Sequence, residues 1–156
     1  MGMNNTTKNI IMFTLGCCFY TAIEMLYRGY SFRLMLLSGG ILFLLGTLLN
    51  NKYGWKMDLL LQCGIISVMA TVLEAIVGNI DYYWLHLNMW DYSGLPYNYL
   101  NGKICVPFMI VWFFLAFAVV FVGDAIEYYW MHRGEQPEYW ILGKKVWQMP
   151  LRKCHG

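Results

Sequence analysis

Two carboxylates stand inside otherwise apolar stretches: Glu24 in TAIEMLYR and Glu74 in ATVLEAIV. At bilayer depth a carboxylate costs roughly 2.5–3.5 kcal/mol on insertion scales, so it is kept where it faces protein, water or a positive group. Such a group can bind a cation or exchange a proton. In a dry pocket, burial favours its protonated form, which can act as a general acid. Glu24 shares a helix face with Tyr27 and Arg28, so it either serves a site or simply pairs with Arg28 four residues on. Glu74 has no cation at helix spacing, which favours a ligand or proton role. A third group gathers between Asn79 and Lys103: Trp90, Asp91, Tyr92 and Ser93, then Asn101 and Lys103 itself. Asp91 is either a reacting group or a turn acceptor. His86 reads as an interfacial aromatic, and Asp124, Glu127 and His132 as a solvated helix end.

Other chemistries have no motif here. There is no Walker-type phosphate loop, no G-x-S-x-G, no H-E-x-x-H and no C-x-x-C. The cysteines, Cys17, Cys18, Cys63, Cys105 and Cys154, are odd in number, and all but Cys154 lie in apolar runs. They read as small apolar fillers rather than a disulfide framework. The start, Met1-Gly2 with Thr6, fits a permissive myristoylation pattern and reads as chance. No cofactor and no metal site is implied.

The elements that must position these residues are membrane spans. Of 156 residues, 59% are hydrophobic and 13% charged, with net charge +2. Soluble domains carry about 25% charged residues. The apolar excess excludes a disordered chain, and the missing basic stripe excludes a nucleic-acid binder. Four apolar runs predict spans over residues 9–27, 32–49, 57–78 and 104–123, each close to the roughly 20 residues a bilayer needs. The expected fold is all-α and integral to the lipid bilayer. Residues 1–123 form a four-transmembrane-helix bundle with an aromatic-rich outer loop before the last span, and 124–156 an amphipathic cytoplasmic tail.

Orientation follows from charge. Lys8, Lys52, Lys56, Arg133, Lys144, Lys145, Arg152 and Lys153 share one side, and Arg28, Arg33 and Lys103 the other. The positive-inside rule therefore predicts a multi-pass plasma-membrane protein with both termini cytoplasmic. Trp130, Trp140 and Trp147 among basic residues suit a tail that lies on the inner surface. Glu24, Arg28, Arg33, Glu74, Asp81, His86, Asp91, Asn101 and Lys103 then all fall on the outer side. The expected arrangement is an outward polar pocket lined by Glu24 and Glu74, with the aromatic loop as its lid. Gly64, Ser67, Thr71, Glu74 and Gly78 recur at helical spacing, a stripe that would turn Glu74 into the bundle. Ser38-Gly39-Gly40 offers a point of close helix approach. The first and second pairs of spans show no self-similarity, so transport would need a homo-oligomer or a partner.

The loop reads Trp90-Asp91-Tyr92-Ser93, then Asn101-Gly102-Lys103-Ile104-Cys105. This resembles the W-D-Y-S…N-G-(R/K)-I-C signature of the bacterial family described as ABC-transporter type IV, or CmpB-like permeases. Glu24 with Tyr27, and Leu73-Glu74, correspond to that family's first-helix and third-helix glutamates. The resemblance covers about residues 12–123. One departure is Ile23, where family members often carry tryptophan. What it implies is a permease subunit served by a separate ATPase, with Glu24, Glu74, Trp90, Asp91, Tyr92, Ser93, Asn101, Gly102 and Lys103 as one constellation. Two other functions compete. One is a membrane-embedded enzyme using carboxylate acid/base chemistry on a lipid or isoprenoid. The other is a structural or regulatory membrane protein.

Overall fold

The computed structural model describes residues 3–54 and 57–152. Trp55 and Lys56 of the second connection, Lys153 and Cys154 of the tail, and the Met1-Gly2 pair lie outside the described residues, with the expectations placed on them.

Four helices carry the fold: α1 (Asn5–Arg28), α2 (Arg33–Tyr53), α3 (Leu59–Ile80) and α4 (Val106–Ala125). Each is long and apolar enough to cross a membrane. Their ends follow from local chemistry. Asn4 caps α1, its Oδ1 accepting from the Thr7 amide at 2.7 Å. Gly29, at φ 78°, closes it in the left-handed conformation that glycine adopts without cost. Asp58 caps α3 by accepting from the Leu60 amide at 2.9 Å, and proline stands in the first turn of α4, where no amide is missed. Past their last α-helical residues, α3 and α4 each add one π-helical turn, Asp81–Leu85 and Ile126–Trp130. The start of the expected tail is therefore a continuation of the last helix.

These two turns share a sequence. Ile80-Asp81-Tyr82-Tyr83-Trp84-Leu85-His86 ends one helix and Ile126-Glu127-Tyr128-Tyr129-Trp130-Met131-His132 the other. The match extends to geometry. Each histidine is left-handed, at φ 53° and 51°. Each tyrosine pair packs edge to face at 4.9 Å. Because α3 and α4 run antiparallel, the two copies sit at opposite ends of the bundle.

Helix α1 lies on α2, while α2 also meets α3 and α4, which pack on each other. The α1–α2 contact runs through Gly16, Gly39 and Gly40, confirming the close approach expected at Ser38-Gly39-Gly40. A Cβ on Gly39 would collide with Tyr20 Cβ and stand 3.2 Å from the Gly16 carbonyl oxygen. Gly64, by contrast, faces open space, so the expected stripe on α3 is not continuous. Two substitutions separate these environments. Gly39→Ala should destabilise the protein by about 1–3 kcal/mol through overpacking. Gly64→Ala should be neutral or stabilise by up to about 1 kcal/mol through helix propensity. Thermal unfolding in detergent reads both.

The tail does not remain a surface strand of chain. Strands β3 (Glu138–Ile141) and β4 (Lys144–Gln148) pair antiparallel, with Ile141 opposite Lys144. Leu142 and Gly143, both at positive φ, make the two-residue turn. The hairpin sends Tyr139 into the main core, and the following Met149 joins it there, beside Leu59, Cys63, Ile66 and Val120. A second, smaller core of Met35, Val77 and Met89 lies under the loop at the other end.

Candidate functional site

The long loop is stapled to the end of α3 by buried charge. Asp81 is fully buried, and its carboxylate accepts from the Leu87 and Met89 amides, each at 2.9 Å. It also pairs with Lys103 Nζ at 3.3 Å. Lys103 in turn donates to the Trp90 carbonyl at 2.7 Å, while the Trp90 indole N–H donates to the Lys103 carbonyl at 3.0 Å. Both side chains close over Gly78, where a Cβ would stand 2.7 Å from that of Lys103. Tryptophan and lysine of the signature therefore clamp each other.

The other signature residues build the turn between them. Asp91 is exposed, and its Oδ1 accepts from the Ser93 amide at 2.8 Å. Gly102, at φ 75°, passes so close that a Cβ there would meet Asp91 Oδ1 at 2.5 Å and the Ser93 nitrogen at 2.7 Å. Glycine is required on both counts. The Gly102 carbonyl accepts from the Tyr92 amide at 2.7 Å. A two-residue ladder, β1 (Asn98–Tyr99) with β2 (Ile104–Cys105), leads into α4. Asn101 and Ser93 stay exposed. Of the two readings for Asp91, the geometry matches the turn acceptor.

That role gives a pH test. The Ser93 backbone N–H holds the Asp91 carboxyl below the usual carboxylate range. A group with a depressed folded value stabilises fully above its unfolded value of about 3.9 and loses that contribution as pH falls through the folded value. Hydrogen-exchange protection of the Ser93 amide should therefore stay constant from about pH 8 to 5 and fall only in stronger acid. Loss of protection near neutrality would contradict the assignment.

Tyr92 points the other way, into the bundle. It stacks on Phe108 at 4.4 Å, and its hydroxyl donates to Glu74 Oε1 at 3.1 Å. Burial first, and the neighbouring Glu74 second, push the Tyr92 phenol above its ordinary value, so it remains a donor at physiological pH. Glu74 is buried, and its Oε2 has no hydrogen-bond partner. The Trp112 indole approaches this carboxylate without making a hydrogen bond. Beside Glu74 lies a cavity of about 30 Å³, lined by Tyr20, Ser38, Gly39, Trp90 and Trp112 among others. That holds one or two waters. With the loop down it admits no larger solute.

Glu24 takes the local reading. Its Oε1 accepts from Arg28 at 2.6 Å, with both side chains largely buried. Arg28 also donates to the Met89 carbonyl at 2.8 Å and lies over the Tyr30 ring at 4.9 Å, tying α1 to the loop. Tyr20 stands between Glu24 and Glu74. Tyr27 is 88% exposed and turns away from this group. Successive helix positions are 100° apart, so with Arg28 facing the bundle Tyr27 faces outward.

Glu24, Arg28, Glu74, Trp90, Tyr92 and Lys103 are thus brought together, while Asp91, Ser93 and Asn101 form the outer surface of the loop and Tyr27 lies apart. Asp81, Tyr20 and Trp112 also belong to the site, though the expected pocket lining did not include them. The opposite end also departs from expectation. Asp124 and Glu127 are not solvated: Asp124 accepts from Tyr139 at 3.0 Å and Glu127 pairs with Lys8 at 3.1 Å. Among the described residues no three histidine, cysteine or acidic side chains converge as metal ligands would.

No curated protein and no solved structure is significantly similar to the chain. The family model described as "Putative ABC-transporter type IV" matches residues 10–143, which takes in α1 beyond its first turn, the other three helices, the clamped loop, and β3 with its turn but not β4. The chain belongs to the ABC-transporter type IV family, and its signature loop is the structure that roofs Glu74.

Proposed function

We propose that the chain is a small permease subunit of the plasma membrane, with both termini cytoplasmic and the Glu74 end facing outward. The observation that carries this reading is a buried carboxylate with one unpartnered oxygen, roofed by a loop whose Tyr92 hydroxyl is the latch. A group this costly to bury is retained where it handles a cation or a proton. The small cavity means that loading requires the latch to open. The energy source would be a separate ATPase subunit, or the chain would work as a homo-oligomer. The hairpin suits the cytoplasmic membrane surface: Leu142 is 85% exposed, and Lys144 and Lys145 flank it.

The test is native mass spectrometry of the tagged protein, isolated from its own host in mild detergent. An ATPase subunit in fixed stoichiometry is the expected result. A chain that emerges with no ATPase, or only as copies of itself, removes the ABC-type version.

A further inference from the structure

The Glu74 site has an imbalance that the permease reading leaves unexplained. One neutral donor, Tyr92, serves Oε1, and Oε2 is buried with none. The groups facing it bring no free positive charge. From α1 comes Tyr20, and beyond it Glu24 already joined to Arg28. From α2 come Ser38 and Gly39, and the Ser38 hydroxyl is spent on the Leu34 carbonyl at 2.8 Å. From α4 comes the neutral indole of Trp112. From the loop come Trp90 and Tyr92, while Lys103 is held by Asp81 and the Trp90 carbonyl. An ionised carboxylate with one hydrogen bond and no counter-ion is among the most costly groups to bury. A carboxylic acid is not: its O–H becomes a donor, and the adjoining cavity has room for a water to accept from it.

We propose that Glu74 carries a proton while Tyr92 holds the loop down, and that the site exchanges this proton with water at the loop end when the latch opens. The ligand is the proton itself. On loading, a hydronium gives its proton to Oε2, where the O–H bond forms. On release that bond breaks and the proton returns to water, leaving a carboxylate that the opened site can solvate. The idea rests on the permease reading for its use, as a coupling ion, but proton occupancy is tested apart from any ATPase.

The experiment is infrared difference spectroscopy on the full chain in lipid bilayers across pH. Wild type minus Glu74→Gln should contain the C=O band of a protonated carboxyl near neutral pH. Glu74→Asp should restore a band, and Tyr92→Phe should shift its frequency without abolishing it, because a bond to the other oxygen is lost. Circular dichroism and elution volume identify variants that have lost the fold. If folded Glu74→Gln and wild type show no protonated-carboxyl difference, the proposal is wrong. A band present in a chain that never binds an ATPase keeps this proposal and removes the ABC-type function. An ATPase bound without the band does the reverse.

Discussion

Asp81→Ala should cost the folded protein about 3–5 kcal/mol, the penalty for leaving a buried charge without its partner. The side chain is fully buried and serves three donors at once: the Leu87 and Met89 amides and the Lys103 ammonium. Alanine would orphan both amides and leave Lys103 with the Trp90 carbonyl, over a ring 5.7 Å away. The damage should spread. Met89 packs on Met35 and Val77 and receives Arg28 from α1, so the α1 end should loosen with the loop. Thermal unfolding in detergent measures the cost. Lys103→Met should cost a similar amount, since it strands Asp81 instead. The double variant Asp81→Ala with Lys103→Met should lose clearly less than the sum, because neither charge remains to be stranded. A loss below about 1 kcal/mol for Asp81→Ala would mean that the pair is hydrated rather than buried.

The same pair shows where sequence reading stops. The spans were legible because run length and hydropathy are local quantities, and the predicted limits lie within a few residues of all four helices. The signature loop was legible as a unit. The division of labour within it was not, since Asp91 and Tyr92 are neighbours whose side chains go to opposite sides. Asp81 was legible as a polar residue at the right depth, but its ammonium partner is 22 residues away through an irregular loop. No helical or strand period connects them. Tyr27 failed for the converse reason: spacing placed it near Glu24 along the helix but could not say which edge of that face turns to the bundle.

The repeated heptapeptide was open to view in the sequence, yet comparing spans in pairs hides it. Its unit is a single helix end, and its copies belong to neighbouring helices of opposite direction. The tail hairpin was hidden by its turn. Two-residue turns of this kind favour Asn-Gly or Asp-Gly, and here leucine occupies the first left-handed position at φ 49°. Aromatic and basic residues then read as membrane anchoring, an expectation that has no place for the buried Tyr139.

Tyr139 is where that second end can be tested most sharply. It is 1% exposed and packs against Phe121 at 4.5 Å and Trp147 at 5.4 Å. Its hydroxyl donates to Asp124 at 3.0 Å. Burial, then the Asp124 carboxylate, push the phenol above its ordinary value, so the donor persists across the physiological pH range. Tyr139→Ala should cost about 3–5 kcal/mol, as for other large aromatic truncations in a packed core. Tyr139→Phe keeps the ring contacts and removes one buried donor, so about 1–3 kcal/mol is expected. Hydrogen exchange then separates two descriptions of the tail. If the hairpin is an integral layer of the bundle, Tyr139→Ala should strip protection from β3 and β4 and also lower it at the facing turns of α3 and α4, around Cys63 and Val120. If the hairpin were only laid against the helices, its own amides would lose protection while those of α3 and α4 kept theirs. The position of Tyr139 inside the main core, bonded to a helix carboxylate, argues for the first outcome.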